Sequence, residues 1–171
     1  RPDLRVTEIV APAQVDPGQT VTLEFVVANQ GNAATTIPNW QDRVYLSLDP
    51  VVSSDDVLMG TLVNQSALEP NQQYRTQSES AIVPKRFRGT VYLIVQTDAN
   101  NQMEEWPNDG NNTLYTELYV VPQPLPDLVT SGVVAPTQAV EGATIDVRFT
   151  ITNLGPGETP VESWTDTVWL T

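Results

Sequence analysis

The sequence predicts an all-β fold, an immunoglobulin-like antiparallel β-sandwich, on three grounds. Apolar and polar residues alternate with a period of two, which is typical of half-buried strands. The chain contains 14 Pro and no sustained helical spacing of apolar residues, so helices are not expected. About seven predicted strands fall within about 120 residues, which is the content of an immunoglobulin-like sandwich.

The predicted strands follow one another along the chain, separated by clusters of Pro, Gly, Asn and Asp. The second strand shows the alternation most clearly, with Val21, Leu23, Phe25 and Val27 on one face. The nearly continuous apolar run at 91–95 predicts a central strand covered on both faces. Besides the second strand, strands are predicted at about 4–10, 43–48, 57–63, 74–83, 89–98 and 114–121.

An internal repeat organises the chain. Residues 2–47 align with residues 126–171 at a constant offset of 124 without gaps, and 17 of the 46 aligned positions are identical. A period of this length is too long for a solenoid unit and fits a whole domain repeated in tandem. We therefore predict a complete domain at 1–121, a Pro-rich linker at 122–125 and the first strands of a second, incomplete copy at 126–171.

The second copy contributes three predicted strands, the third of them around 164–170. Three strands cannot close a two-sheet sandwich, so their apolar faces need a cover. Strands from the rest of a longer protein are the favoured cover, and a strand-swapped dimer is the less favoured alternative. A start at Arg1 without an initiator Met adds to the expectation that the chain is a segment of a longer protein.

The residue content restricts the chemistry open to the chain. It has no Cys and no His, which excludes disulfides, thiolate nucleophiles and catalytic pairs or zinc sites based on those residues. Its 21 acidic and 8 basic residues give a net charge of -13, so nucleic acids and anionic lipid surfaces are not expected as partners. No apolar run is long enough for insertion into a membrane.

Several short motifs occur in a fixed order over residues 2–121 and over the available part of 126–171. They include Pro2-Asp3-Leu4, Asn29-Gln30-Gly31, Trp40-x-Asp42-x-Val44 and Asp98-Ala99-Asn100-Asn101. This set resembles the bacterial cell-adhesion-related domain, CARDB. The resemblance implies an immunoglobulin-like module, strung in tandem within large secreted or surface-attached prokaryotic proteins, with no family-wide catalytic residues.

These expectations lead to one functional hypothesis and one alternative. The hypothesis is a non-catalytic extracellular adhesion and spacer module of a larger prokaryotic surface or secreted protein, in contact with neighbouring repeats and with a protein or polysaccharide ligand. No cofactor is required, although calcium is a candidate for stiffening the module. The alternative is a carbohydrate-binding β-sandwich module. Acidic residues clustered on one loop do not form a glycosidase cleft, so enzyme activity is not expected.

The loop before the last strand of the complete domain is the first candidate metal site. Calcium prefers about six to eight oxygen ligands from a loop that can wrap around it. The competing explanation is that these residues only form turns, with Glu105 pinning the loop. The candidate ligands are Asp98, Asn100, Glu104, Glu105, Asn108 and Asp109.

A second acidic segment lies between the third and fourth predicted strands. Asp49, Asp55 and Asp56 place three carboxylates in a short segment that could hold a cation. A solvated turn is the favoured explanation, because the number of ligands is low unless another loop contributes.

The aromatic residues divide into core and surface candidates. Trp40 and Trp164 occupy equivalent repeat positions in phase with apolar residues, which predicts packing in the core. Asp42 and Asp166 share that phase, so each is predicted to point inward and to accept a backbone hydrogen bond. The candidates for stacking on sugar rings are Tyr45, Trp106 and Trp169.

Overall fold

Strands and irregular segments make up the computed structural model, which describes residues 1–105, 107 and 110–170. The described residues include no helix, which confirms the predicted all-β class. The chain divides into two units, Arg1–Pro122 and Gln123–Thr171. The strands of the first unit are Leu4–Val10 (β1), Gln14–Val15 (β2), Thr20–Val21 (β3), Glu24–Asn29 (β4), Gln41–Ser47 (β5), Val57–Val63 (β6), Gln73–Gln77 (β7), Ala81–Ile82 (β8), Gly89–Gln96 (β9) and Thr113–Val120 (β10).

The first unit is a sandwich of two sheets. One sheet has the strand order β1-β4-β7, and the other has the order β2-β10-β9-β5-β6. The strand pairs are antiparallel except for β2, which runs parallel to β10. A short antiparallel ladder pairs β3, which precedes β4 in the chain, with β8, which follows β7. This arrangement is an immunoglobulin-like sandwich, as the sequence predicts.

The core lies between the two sheets and contains the side chains that alternate along the central strands. Phe25 and Val27 of β4 belong to the same buried cluster as Leu46 of β5. Trp40 also belongs to it and is 1% exposed, which confirms its predicted place in the core. Along β9 every residue from 91 to 95 except Tyr92 is completely buried. The predicted central strand is therefore confirmed.

Two predicted strands are interrupted at the same point of the sandwich. The alternating second strand is divided into β3 and β4, and the strand predicted at 74–83 is divided into β7 and β8. At the break, the Ser78 hydroxyl accepts a hydrogen bond from the Leu23 backbone N–H at 3.0 Å, and the Ser78 N–H donates to the Leu23 carbonyl at 2.8 Å. A side-chain oxygen thus replaces a carbonyl of the ladder, which alternation alone does not reveal.

A corner built on Asn29 ties the end of β4 to the start of β1. The Asn29 Oδ1 accepts hydrogen bonds from the N–H groups of Asp3 at 3.1 Å and Gly31 at 3.0 Å. Its Nδ2 donates to the carbonyl oxygens of Ala33 at 2.8 Å and Leu68 at 3.0 Å. A single buried side chain therefore satisfies four backbone groups that the strand ladders leave free.

The second unit contains a hairpin formed by Leu128–Val134 (β11) and Arg148–Asn153 (β12). These strands coincide with β1 and β4 at the offset of 124. Asn153 Oδ1 accepts hydrogen bonds from the N–H groups of Asp127 at 2.9 Å and Gly155 at 3.0 Å, as Asn29 does in the first unit. The hairpin and its corner therefore occur twice, while the assignment of a second whole domain remains a prediction.

The third strand predicted for the second copy is wrong, because residues 164–170 form no strand. In the first unit the matching segment, β5, lies between β6 and β9 and pairs with both. The described part of the second unit contains no counterpart of either neighbour, so the segment has no strand to pair with. For the same reason the predicted core position of Trp164 is wrong, since its exposure is 47%, and Asp166 is exposed rather than inward.

Candidate functional site

The loop between β9 and β10 holds most of the predicted calcium ligands, and Asp98 fixes its first turn. Asp98 adopts a φ of 43°, a left-handed conformation that Asp tolerates. Its Oδ1 accepts the Gln102 N–H at 2.9 Å, and its Oδ2 accepts the Met103 N–H at 2.8 Å. Both carboxylate oxygens thus hold backbone, and the Met103 side chain is inserted into the core with 1% exposure.

Glu105 joins this loop to the start of β1. It is 1% exposed, and its Oε1 accepts the Leu4 N–H at 2.5 Å. Its Oε2 accepts a hydrogen bond from Asn112 Nδ2 at 2.7 Å. Burial raises the pKa of Glu105, while the hydrogen bonds from Leu4 and Asn112 oppose that change. This geometry agrees with the competing explanation that Glu105 pins the loop.

Two neighbouring amides at the end of the loop have oxygens that accept no hydrogen bond from the described residues. Asn111 Nδ2 donates to Asp3 Oδ1 at 2.9 Å, and Asn112 Nδ2 donates to Glu105. Asn111 Oδ1 and Asn112 Oδ1 are both buried, and no group in the described part of the chain donates a hydrogen bond to either. Asn112 itself is only 6% exposed. A buried carbonyl oxygen without a donor is unfavourable unless water or a cation contacts it.

The other predicted ligands of this loop are dispersed. Asn100 Oδ1 accepts a hydrogen bond from Arg43 at 2.7 Å, and Glu104 forms an exposed ion pair with Arg1 at 2.6 Å. Within the part of the chain that the structure describes, no group of three or more acidic side chains is placed to hold a metal ion. Two further candidates, Asn108 and Asp109, lie outside the described residues.

The second acidic segment forms a turn between β5 and β6. Asp49 Oδ1 accepts the Val51 N–H at 2.9 Å, and Asp56 Oδ2 accepts the Ser53 N–H at 2.7 Å. The Ser53 hydroxyl donates to Asp55 Oδ1 at 2.5 Å, which lowers the pKa of the Asp55 carboxyl. Each carboxylate is used within the turn, as expected for Asp in such positions.

The three predicted sugar-stacking residues belong to different segments of the chain. Tyr45 lies on β5 and points away from the core, since its neighbours Val44 and Leu46 are buried. Trp169 lies in the second unit and is 82% exposed. Trp106 lies outside the described residues.

A hydrogen-bonded pair centred on the buried Asp42 is better defined than any of the predicted sites. Asp42 is 1% exposed and accepts a hydrogen bond from the Tyr74 hydroxyl. Trp40 Nε1 donates to the Thr97 hydroxyl beside them at 3.1 Å. Burial raises the pKa of Asp42 to about 6 despite these hydrogen bonds, and burial together with the Asp42 charge raises the pKa of Tyr74. The inward position of Asp42 is thus confirmed.

Sequence reasoning did not find the role of Tyr74, because its partner is 32 residues away on the opposite sheet. It also did not group Tyr45 with the tyrosines of β9 and β10. The alternation in β10, where Tyr115, Glu117 and Tyr119 share one phase, was the available signal.

The open depression beside Glu105 has a volume of about 410 Å³. A glycosidase requires two carboxyl groups facing each other across a cleft. Among the described residues that line the depression, Glu105 is the one carboxylate, and its oxygens accept hydrogen bonds from Leu4 and Asn112. The lining residues are Arg1, Pro2, Gln30, Gly31, Asn32, Glu105 and Pro107.

In the described part of the chain, no helix is long and apolar enough to cross a membrane. A sequence model of the CARDB family matches residues 1–116. No curated protein matches the chain.

Several solved structures are similar to this chain. The crystal structure of the CARDB domain of a Pyrococcus furiosus protein, in complex with di-metal ions, is 23% identical, with a TM-score of 0.52, 70% of this chain covered and 89% of that chain. The solution NMR structure of that domain is 25% identical, with a TM-score of 0.51 and coverages of 70% and 95%. A domain of a proposed cell surface protein from Methanosarcina acetivorans is 22% identical, with a TM-score of 0.49 and coverages of 71% and 94%.

Proposed function

The chain belongs to the CARDB family, a non-catalytic type of module, and on this premise we propose that its first unit is a spacer that resists tension along a surface or secreted protein. We propose that neighbouring repeats of the longer protein are attached at the two ends of the unit. Another part of that protein is proposed to carry the group that takes part in adhesion. An extracellular location follows from this role and is part of the proposal.

The direction of the first and last strands of the unit supports the proposal. Asp3 and Leu4 contact Asn111 and Glu105, just before β10 begins. At the other end of β10, Val120 pairs in parallel with Val15 of β2. The chain therefore enters at one end of the sandwich and leaves at the opposite end. Modules with this arrangement extend a protein when they are joined in series.

The parallel pairing also determines how tension would load the unit. The Tyr119 N–H donates to the Ala13 carbonyl and the Val121 N–H donates to the Val15 carbonyl, both at 3.0 Å. Opposite forces on the two ends pull β2 and β10 along each other, so the hydrogen bonds must break together rather than one after another. Strands that are sheared in this way resist force better than strands that are peeled apart.

Single-molecule force spectroscopy on the chain, held at its two ends, tests the proposal. Separation of β2 from β10 releases the segment between Val15 and Val121, which is about 350–380 Å long when fully extended. Val121→Pro removes one donor of the ladder and is expected to lower the unfolding force, whereas Val121→Ala keeps the N–H and serves as the control. Equal unfolding forces for both variants, or a release length unrelated to this segment, would contradict the proposed spacer.

We further propose that a divalent cation, with calcium as the first candidate, binds where the loop before β10 contacts the start of β1. The buried Asn111 Oδ1 and Asn112 Oδ1, which have no donor among the residues that the structure describes, favour it, together with the carboxylates of Asp3 and Glu105 that their amides contact. Oxygen donors of this kind suit calcium. The Pyrococcus furiosus domain, solved with di-metal ions, is consistent with a cation in this fold. A bound cation would stiffen the end at which the chain enters.

A further inference from the structure

The outward face of the five-stranded sheet has an unusual composition. Four of the five tyrosines of the chain lie on it, and the fifth, Tyr74, is partly buried and packs against the core between the sheets. The outward residues are identified by the strand register, in which Tyr45 of β5 pairs with Ile94 of β9, and Ile94 pairs with Tyr115 of β10. We call this surface the tyrosine face and define it by Tyr45, Tyr92, Ile94, Tyr115 and Tyr119.

Two rings of the tyrosine face contact each other across neighbouring strands. Tyr92 and Tyr115 are in edge-to-face contact, with ring centroids 5.5 Å apart and planes at 81°. Ile94 is completely buried although it lies outside the cluster between the sheets, so side chains of the outer face cover it. Tyr115 and Tyr119 remain 50% and 46% exposed. The face thus combines a closed apolar base with accessible aromatic rings and hydroxyl groups.

The outer face of the opposite sheet provides an internal comparison. There, Arg75 forms ion pairs with Glu8 and Glu24, so that face is covered by exposed charged side chains. A chain with a net charge of -13 therefore has charged residues available for an outer sheet face. The concentration of tyrosines on the tyrosine face is therefore specific to that surface and is not explained by a shortage of charged residues in the chain.

Charge and hydrogen-bonding groups indicate what the tyrosine face contacts. Along its three central strands the outward charged residues are Arg43 and Glu117, which give no net charge. A polyanion gains no electrostatic attraction from such a surface. Arg43 is hydrogen-bonded to Asn100 Oδ1, and Asn100 Nδ2 donates to Gln41 at 3.0 Å, so amides form a polar rim. Aromatic rings surrounded by hydroxyl and amide groups suit the apolar ring faces and the hydroxyl edges of sugars.

We propose that the tyrosine face binds a neutral polysaccharide. Tyr45 and Tyr115 lie two strand spacings apart, about 10 Å, and Tyr115 and Tyr119 are separated by about 14 Å along β10. An extended glycan can therefore contact several rings at once. The exposed aliphatic side chains of this outer face, Leu58 and Val63, lie at its border on β6, which favours a glycan over a second copy of the chain.

Affinity gel electrophoresis of the chain in gels containing hydroxyethyl cellulose, glucomannan or pullulan tests this proposal, with alginate as an acidic polysaccharide for comparison. We expect retardation by at least one neutral polymer and none by alginate. The double variant Tyr92→Ala/Tyr115→Ala should lose about tenfold or more in affinity. Gln73→Ala, an exposed neutral position on β7, is the matched control and should bind as the parent chain does.

A second measurement keeps the proposal testable if the double variant does not fold. In 1H-15N spectra of the unaltered chain, the retarding polymer or its oligosaccharide should shift resonances of β5, β9 and β10 and leave those of β7 in place. The proposal is overturned if no neutral polymer retards the chain, if alginate alone does, or if the shifts lie elsewhere. Self-association that is lost in the double variant, measured by analytical ultracentrifugation, would assign the face to a second copy instead.

Discussion

Buried carboxylates of the first unit are structural residues in a chain that has 21 acidic side chains. Asp98 and Glu105 accept hydrogen bonds from backbone N–H groups, and Asp42 accepts one from the Tyr74 hydroxyl. A carboxylate bridges distant segments well because each oxygen accepts more than one hydrogen bond. Burial of a carboxylate has an energetic cost, which is reflected in the raised pKa of Asp42 and of Glu105.

The energetic cost of burying the Asp42 carboxylate is tested by comparing the pH dependence of stability in the parent chain and in Asp42→Asn. Because the pKa of Asp42 rises from 3.8 in the unfolded chain to about 6 in the folded chain, the folded state binds this proton more tightly. The contribution of Asp42 to the free energy of unfolding is fully present below about pH 4. It decreases as the pH rises from about 4 to about 6 and is then constant. Over this pH range the free energy of unfolding is expected to fall by about 3 kcal/mol.

The measurement is urea denaturation of the parent chain and of Asp42→Asn between pH 3.5 and 8, with the difference between the two plotted against pH. The amide can still accept the Tyr74 hydrogen bond, so the variant retains the contact without the charge. A difference that does not change with pH would show that Asp42 does not titrate in this range.

Glu105→Ala is expected to destabilise the first unit by about 1–3 kcal/mol, because the Leu4 N–H and the Asn112 amide lose a buried acceptor. The adjacent Glu104→Ala is the matched control. Its side chain is 78% exposed in an ion pair with Arg1, so a change of at most about 1 kcal/mol is expected. Chemical denaturation of both variants makes the comparison, and equal losses would exclude a special role for Glu105.

At the scale of elements, the hairpin of β1 and β4 depends on the close approach of Gly31 to the segment before β1. A Cβ at Gly31 would contact the Arg1 carbonyl oxygen and lie 2.6 Å from the Pro2 carbonyl carbon. Gly155 has the same relation to Pro126, at 2.7 Å. The Asn-x-Gly sequence of both repeats is explained by this packing, with Asn29 or Asn153 supplying the hydrogen bonds.

Gly31→Ala should therefore destabilise the first unit by about 1–3 kcal/mol, since backbone on both sides must move. Gly60→Ala in β6 is the control, because a Cβ there meets nothing within 4 Å. That substitution is expected to be neutral or to stabilise by up to about 1 kcal/mol. Thermal unfolding of both variants gives the answer, and a Gly31→Ala protein as stable as the parent would contradict the proposed close packing.

For the whole molecule, the proposed cation site predicts a linkage between calcium and stability. At a free calcium concentration one hundred times its Kd, the free energy of unfolding should rise by about 2.7 kcal/mol. We expect a higher Tm in calcium than in excess chelator or in magnesium, and loss of this effect in Glu105→Gln, which retains an acceptor for the Leu4 N–H. The same Tm in calcium and chelator would remove the cation from the proposed function.

Alternation of apolar residues predicted most of the sandwich, because a residue's face in a strand depends only on local geometry. The strand at 57–63 was predicted at its observed bounds, and the core position of Trp40 was found from the same periodicity. The two-residue strand β2 was missed because so short a segment has no measurable period. The break at Ser78 was missed because its partner Leu23 is distant in sequence.

The sequence determined the all-β class, the family and the repeated hairpin, since each depends on residue spacing along the chain. Tertiary structure decided the rest: the parallel pairing of β2 with β10, the partners of Asp42 and Glu105, and the assembly of tyrosines from β5, β9 and β10 on one face. The physical reason is that strand order and side-chain contacts join segments far apart in sequence, whereas periodicity reports only on neighbours.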